Sequence, residues 1–307
     1  MDQPFHTVLD VPVAGGTLAV GVSGPASGAP VILAVHGITG SHRSWSPVAR
    51  HLGDDFTFLA PDLRGRGASG DLPGPYGLDA HLDDLAAVLD HVGATSTSGT
   101  PRTPGVILAG HSMGAFVVAR LAAAHPARFR AVALVDGGLV LPVPPDIDPQ
   151  QVLAMVLGPA LARLRMTFEN HEAYREFWRA HPAFAGPGVW NADTEDYVDY
   201  DLTGEPGQMR SRVSEEAVQA DGADVLDVDA VRRAFLALAC PTVVVRAPRG
   251  LQDEPSPLLP ETVVAQAKEA LPHLVDVVVP DTNHYLILLG DREAKTVADQ
   301  LRALSDA

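Results

Sequence analysis

The sequence predicts an α/β chain built on a mainly parallel sheet covered by helices on both faces. Three observations lead there. Short β-branched and apolar runs occur without polar alternation, as strands buried on both faces require. Segments with apolar residues at helical spacing lie between them. From about Gly137 to Ala239 the alternation stops and only helical stretches are evident. Residues 1–136 and 240–307 are therefore read as one core, and 137–239 as a helical insertion.

Phe5–Val11 and Thr17–Ser23 read as two strands joined through Gly15 and Gly16. Val31–His36 and Phe56–Ala60 are buried strands, and Leu78–His91 carries leucines and alanines at helical spacing with acidic residues between. Ala94–Gly105, rich in Ser, Thr, Pro and Gly, reads as a surface loop. Val106–Gly110 is a strand, Met113–Ala124 a helix, and Ala131–Val135 the next strand. The insertion contains the helical stretches Gln150–Leu164 and Glu172–Ala180. Alternation resumes with Thr242–Arg246 (strand), Glu261–Ala270 (helix), Leu274–Val279 (strand) and Arg292–Leu304 (helix).

With 307 residues, 46% apolar and 20% charged, the chain is long enough to bury a sizeable core and is unlike a disordered one. A net charge of −16 opposes binding to nucleic acid or anionic membrane surfaces. Cys240 is the sole cysteine, which rules out an internal disulfide and reads as a small apolar residue. Residues Met1–Val20 lack a basic patch followed by an apolar stretch, and no run approaches the roughly 18 apolar residues of a membrane span. A cytoplasmic location is expected. Histidines do not cluster at metal-ligand spacing, and neither a phosphate loop nor a dinucleotide fingerprint is present. The expected partner is a small-molecule substrate, with no cofactor, nucleic acid or membrane.

Gly110-His111-Ser112-Met113-Gly114 follows a buried strand and opens a helix. This is the G-x-S-x-G elbow in its confirming context. The turn is tight and strained, so small residues must flank it. The serine then stands at the carboxyl edge of the sheet. The helix behind it aims free N–H groups at developing negative charge.

Four segments together resemble the α/β-hydrolase superfamily along nearly the whole chain. They are His36-Gly37-Ile38-Thr39-Gly40, Pro61-Asp62-Leu63-Arg64-Gly65-Arg66-Gly67-Ala68-Ser69, the elbow, and Asn283-His284. The resemblance implies an eight-stranded α/β-hydrolase fold with a helical cap inserted after the sixth strand, and a serine hydrolase with Ser112 as nucleophile. It places the catalytic histidine at His284, on a loop after the last strand, with Asn283 where many relatives have Gly. A serine hydroxyl is a weak nucleophile until such a base takes its proton. The oxyanion hole needs two donors: the Met113 N–H just after the serine and, by the resemblance, the Ile38 N–H, with Gly37 and Gly40 letting that loop bend close. His36 is expected to orient the loop, and Arg64 and Arg66 to tie down backbone carbonyls.

The acid that orients the histidine has two candidate positions. Asp136, at the end of the sixth predicted strand, has the simpler geometry, and Gly137 and Gly138 allow a sharp exit. Asp253 lies after the seventh, in a loop several residues longer than the usual Gly-x-x-Asp turn, with Glu254 as a third option. His42, His51, His91, His125 and His181 are expected on the surface. The insertion is aromatic-rich, and its aromatic residues should mostly build the cap's own core. Phe177, Trp178 and Gly37 are taken as substrate-binding residues over Ser112. The acidic run Asp193–Glu205 reads as a solvated loop that would disfavour anions if it faced the entrance. The expected reaction is hydrolysis of a neutral, partly apolar ester, lactone or thioester. A carbon–carbon hydrolase or a cofactor-free perhydrolase would use the same triad, though perhydrolases usually lack so large a cap. A ligand receptor with little turnover is the rival of another class. Serine at the nucleophile position excludes the dehalogenase and epoxide-hydrolase branches, which use aspartate there.

Overall fold

The computed structural model describes residues 3–94, 105–142 and 149–306. Most of the loop expected at Ala94–Gly105 lies outside them. In chain order the core carries strands β1 (Thr7–Val13), β2 (Gly16–Ser23) and β3 (Val31–Val35), helix α1 (Ser46–Leu52), β4 (Thr57–Pro61), α2 (Leu78–His91), β5 (Val106–His111), α3 (Met113–Ala124) and β6 (Phe129–Val135). Next come α4 (Pro149–Leu164), α5 (His171–Arg179), α6 (Ala192–Asp201), β7 (Leu202–Thr203), β8 (Arg210–Ser211), α7 (Glu215–Val225) and α8 (Val228–Leu236). The chain returns to the sheet as β9 (Thr242–Arg246), α9 (Glu261–Ala270), β10 (Val275–Val278), α10 (Leu286–Leu289) and α11 (Asp291–Asp306).

Eight strands form one sheet in the order β1-β2-β4-β3-β5-β6-β9-β10. Pairing is antiparallel at β1/β2 and β2/β4 and parallel from β4 to β10. This is the α/β-hydrolase fold that the sequence predicted. Leu33 and Val35 of β3 point into one core cluster with residues of α2, α3, α8 and α9. Ile32 and Ala34 point into the opposite cluster with α1 and α11. Both faces are thus covered, which is why these strands carry no polar alternation. No helix among the described residues is long and apolar enough to cross a membrane.

Three expectations are corrected. The insertion holds a strand pair after all, the two-residue β7 and β8, too short to leave a periodic trace. Most of the acidic run is helix α6 rather than a solvated loop: Asp193 meets Arg50, Asp199 meets Arg175, and Asp201 meets Arg163. His42 is fully buried, its Nδ1 2.9 Å from Asp62 Oδ1, and His51 and His181 are half-buried. Helix α8 packs on the sheet side, with its Val231 and Phe235, and Leu238 just beyond it, in the main core cluster. The aromatic residues Phe168, Tyr174, Trp178, Phe184 and Tyr197 build a separate cluster, as the sequence implied, which Leu289 of α10 joins from the core.

Candidate active site

β5 ends at His111 and α3 begins at Met113, so Ser112 alone makes the turn, with φ 54° and ψ −123°. That backbone is costly for a serine, by about 1–3 kcal/mol, and survives only where neighbours enforce it. The neighbours are glycines because nothing larger fits. A Cβ on Gly110 would lie 2.2 Å from the Gly114 carbonyl oxygen, and one on Gly114 would lie 2.2 Å from that of Val35. A Cβ on Gly137 would sit 2.3 Å from the Ser112 carbonyl oxygen. The Ser112 N–H donates to the Val135 carbonyl at 2.9 Å, tying the elbow to the end of β6.

His284 follows β10 and lies with its Nδ1 2.7 Å from Asp136 Oδ2. Asp136 is fully buried at the carboxyl end of β6, and its Oδ1 accepts the Ala247 N–H at 3.1 Å. An ionised carboxylate only accepts, so Nδ1 carries the ring proton and Nε2 keeps its lone pair. His284 and Ser112 line one cavity. Asp253, the alternative acid, has its oxygens on other groups: Oδ1 accepts from Asn283 Nδ2 at 3.0 Å and Oδ2 from Arg249 at 2.6 Å. It braces the residue before the histidine, not the ring. Glu254 Oε2 accepts the Gln252 N–H at 2.7 Å. His111 makes a contact that the sequence did not announce. Its Nε2–H donates to the His284 carbonyl at 2.9 Å, and the two rings lie 4.7 Å apart. Burial holds this ring well below the usual histidine range, so it stays neutral.

The Met113 N–H, at the first position of α3, has no acceptor within the helix. Gly37 and Ile38 border the same cavity, and a Cβ on Gly37 would come within 3.1 Å of Ser112 Cβ. His36 braces that loop: Nδ1 donates to the Gly37 carbonyl at 2.7 Å and Nε2 accepts the Leu63 N–H at 3.0 Å. Burial pushes its pKa down to about 4. Arg66 Nε donates to the Ile38 carbonyl at 2.9 Å, and Arg64 donates to the carbonyls of Pro73 and Ala14. The expected tie-down of carbonyls by both arginines is what the structure shows.

The cavity measures about 500 Å³. Ser112, His284, Gly37 and Met113 form its floor on the sheet side, and Phe177, Trp178 and Tyr197 reach it from the insertion. The alpha/beta hydrolase family model matches residues 32–300. The chain belongs to the α/β-hydrolase family. Among family members, it is 36% identical over 146 residues to lipase LipV of Mycobacterium tuberculosis, a stretch covering 47% of this chain and 50% of that one, so the match spans half of the lipase. It is 28% identical over 272 residues to 2-(acetamidomethylene)succinate hydrolase of Mesorhizobium japonicum, covering 88% of this chain and 87% of that one. The crystal structure of E-2-(acetamidomethylene)succinate hydrolase superposes with a TM-score of 0.76 at 22% identity, over 98% of this chain and 99% of the other. A thioesterase domain from the curacin biosynthetic pathway does so with 0.74 at 18% identity, over 97% and 99%. Those two likenesses concern the fold.

Within the family frame, sequence reasoning passed over Arg163, Tyr285 and the carbonyl clasp of His111. Only Tyr285 left a local sign, its position directly after His284. Arg163 lies on α4, and nothing nearby in sequence announces that it lines the cavity.

Proposed function

We propose that the chain is a serine hydrolase of carboxylic esters, lactones or thioesters, working through an acyl-enzyme on Ser112. The observation that carries this reading is the His284–Asp136 contact at 2.7 Å, with His284 and Ser112 lining one cavity. His284 Nε2 takes the Ser112 proton as Oγ attacks the carbonyl carbon. The N–H groups of Ile38 and Met113 stabilise the oxyanion, and Asp136 stabilises the imidazolium. Collapse expels the leaving group, which receives the proton from His284. Water then enters by the same route, its proton passes to His284, and the acid is released. Met113, Phe116, Leu141, Leu288 and Leu289 supply apolar wall for part of the substrate.

The expectation of a neutral substrate rested on the acidic run. The carboxylates of Asp193, Asp199 and Asp201 meet arginines, so that run carries no weight on substrate charge. A cytoplasmic location belongs to this reading. The test is a fluorophosphonate probe and a series of p-nitrophenyl esters applied to the wild type and to Ser112→Ala. Labelling and turnover confined to the wild type support the reading. A folded wild type with neither moves the weight to a ligand receptor, and turnover of a carbon–carbon substrate without ester turnover moves it to a carbon–carbon hydrolase.

A further inference from the structure

The cavity has a second polar region, on the side of the insertion. Arg163 of α4, Trp178 of α5, Tyr197 of α6 and Tyr285 all line it. Trp178 is their hub. The Arg163 guanidinium carbon lies 5.1 Å from the centre of its ring, and the rings of Tyr285 and Tyr197 lie 6.0 and 6.4 Å away. The Tyr285 ring is in turn 5.7 Å from the ring of His284. The group is thus one aromatic side chain away from the proposed base.

Arg163 is buried, and its Nη1 meets Asp201 Oδ2 at 2.5 Å and the Tyr174 hydroxyl. Asp201 is occupied on its far side as well: Ser211 Oγ donates to Oδ1 at 2.8 Å, and the Tyr174 hydroxyl donates to Oδ2. Arg163 borders the cavity and Asp201 does not. Tyr197 and Tyr285 differ from Tyr174 and Tyr200, whose hydroxyls donate to carboxylates. Among the described residues neither of their hydroxyls donates a hydrogen bond, and neither is sealed off from the cavity. Burial raises both phenols above the usual range, so both stay protonated donors. The carboxylate on the lining, Glu254, belongs to the β9 side and already accepts from Gln252.

Two tyrosine hydroxyls that donate to nothing among the described residues, on one wall with a guanidinium that has donors beyond the Nη1 bonded to Asp201, call for an acceptor. A carboxylate accepts several such bonds at once, and a charged acceptor makes each of them stronger. We propose that Tyr197, Tyr285 and Arg163 form a carboxylate subsite, so that the substrate carries a free carboxylate close to the bond that is cleaved. The proposal rests on the serine-hydrolase reading for that bond, and not for the subsite itself. Hydrolysis of such a half-ester leaves a dicarboxylate, with one carboxylate beside Ser112 and the other in the subsite.

Two measurements test it. In the first, Ser112→Ala is titrated calorimetrically with glutarate and with dimethyl glutarate, alone and combined with Tyr197→Phe or Tyr285→Phe. Glutarate should bind, dimethyl glutarate should bind at least about tenfold more weakly, and each Phe variant should weaken glutarate by about tenfold. In the second, wild-type turnover of p-nitrophenyl hydrogen glutarate is compared with that of its methyl ester. The kcat/KM ratio of acid to methyl ester should exceed about ten and should fall toward one in either Phe variant. A ratio near one in the wild type, or one unchanged by both Phe variants, overturns the subsite. Glutarate binding that depends on the tyrosines, without turnover of any ester or fluorophosphonate labelling, would instead overturn the hydrolase reading and leave the subsite standing.

Discussion

Asp136→Asn tests the site most sharply, because the structure dictates which way the new amide must face. Asp136 Oδ1 accepts the Ala247 backbone N–H at 3.1 Å, and Oδ2 accepts from His284 Nδ1 at 2.7 Å. An asparagine has one acceptor and one donor group to offer these two places. The Ala247 N–H is a fixed donor, so the amide oxygen must stay there. The NH₂ group then faces His284 Nδ1, which has to give up its proton and accept. The ring is left protonated on Nε2, the wrong tautomer to take the Ser112 proton, and its imidazolium loses its counter-charge. Asparagine tolerates the positive φ of 45° at this position, so the backbone need not move. The expected loss in kcat/KM on a p-nitrophenyl ester is about 10³–10⁴-fold. Asp253→Asn disturbs only Asn283 and Arg249 and should stay within about threefold of the wild type. Initial rates, fluorophosphonate labelling rates and melting curves on both variants decide the matter. Equal small losses from the two, with both folded, would refute the tautomer argument.

Three other outcomes follow from the geometry. Gly114→Ala puts a Cβ 2.2 Å from the Val35 carbonyl, a backbone clash that cannot relax cheaply; it should cost about 3 kcal/mol or more and lower Tm by roughly 5 to 10 °C, and a variant melting with the wild type contradicts the close approach. His36 has a folded pKa of about 4 against about 6.5 unfolded, so its stabilisation is full above pH 6.5 and is lost as pH falls from there toward 4. About 2 kcal/mol should be gone by pH 5, with His111 acting in the same direction, and urea midpoints that match at pH 7.5 and 5 would count against neutral buried rings. Asp201→Asn removes the counter-charge of buried Arg163 and should cost about 3–5 kcal/mol in a chemical denaturation curve, whereas a loss under about 1 kcal/mol would mean that the pair is not isolated from water.

The sheet was legible because its signals are local. Leu78–His91, Met113–Ala124, Thr242–Arg246 and Glu261–Ala270 have the bounds that their patterns predict. The elbow was legible for the same reason, since five consecutive residues spanning the end of a strand and the start of a helix carry it. What stayed hidden depends on partners far along the chain. Helix α6 looked like a solvated loop because its acidic side chains were counted without Arg50, which is 143 residues away from Asp193. His42 looked like a surface residue because Asp62, which buries it, lies on another strand's exit. The choice between Asp136 and Asp253 was open for a related reason. Both follow a strand at the carboxyl edge, and only the path of the loop after β10 brings one of them to the ring.

Under the proposed mechanism, the arginine-glycine segment after β4 belongs with the Ile38 loop rather than beside it. β3 and β4 are parallel neighbours, so the loops leaving them emerge side by side at the carboxyl edge. His36 bridges the two, from the Gly37 carbonyl to the Leu63 N–H. Arg66 bridges them a second time, its side-chain Nε donating to the Ile38 carbonyl. Its far end, Nη2, lies 2.7 Å from Asp221 Oδ2 on α7, where His81 Nε2 also arrives at 2.9 Å. All three of these side chains are fully buried. A donor aimed at a developing oxyanion is useful in proportion to how little it moves when charge appears. A peptide held from its carbonyl side by a rigid planar guanidinium, itself anchored to a helix of the insertion, moves little. The same chain of contacts makes the placement of α7 and the placement of the Ile38 loop one structural problem, so α7 helps to set the loop to which the proposed mechanism gives the second oxyanion donor.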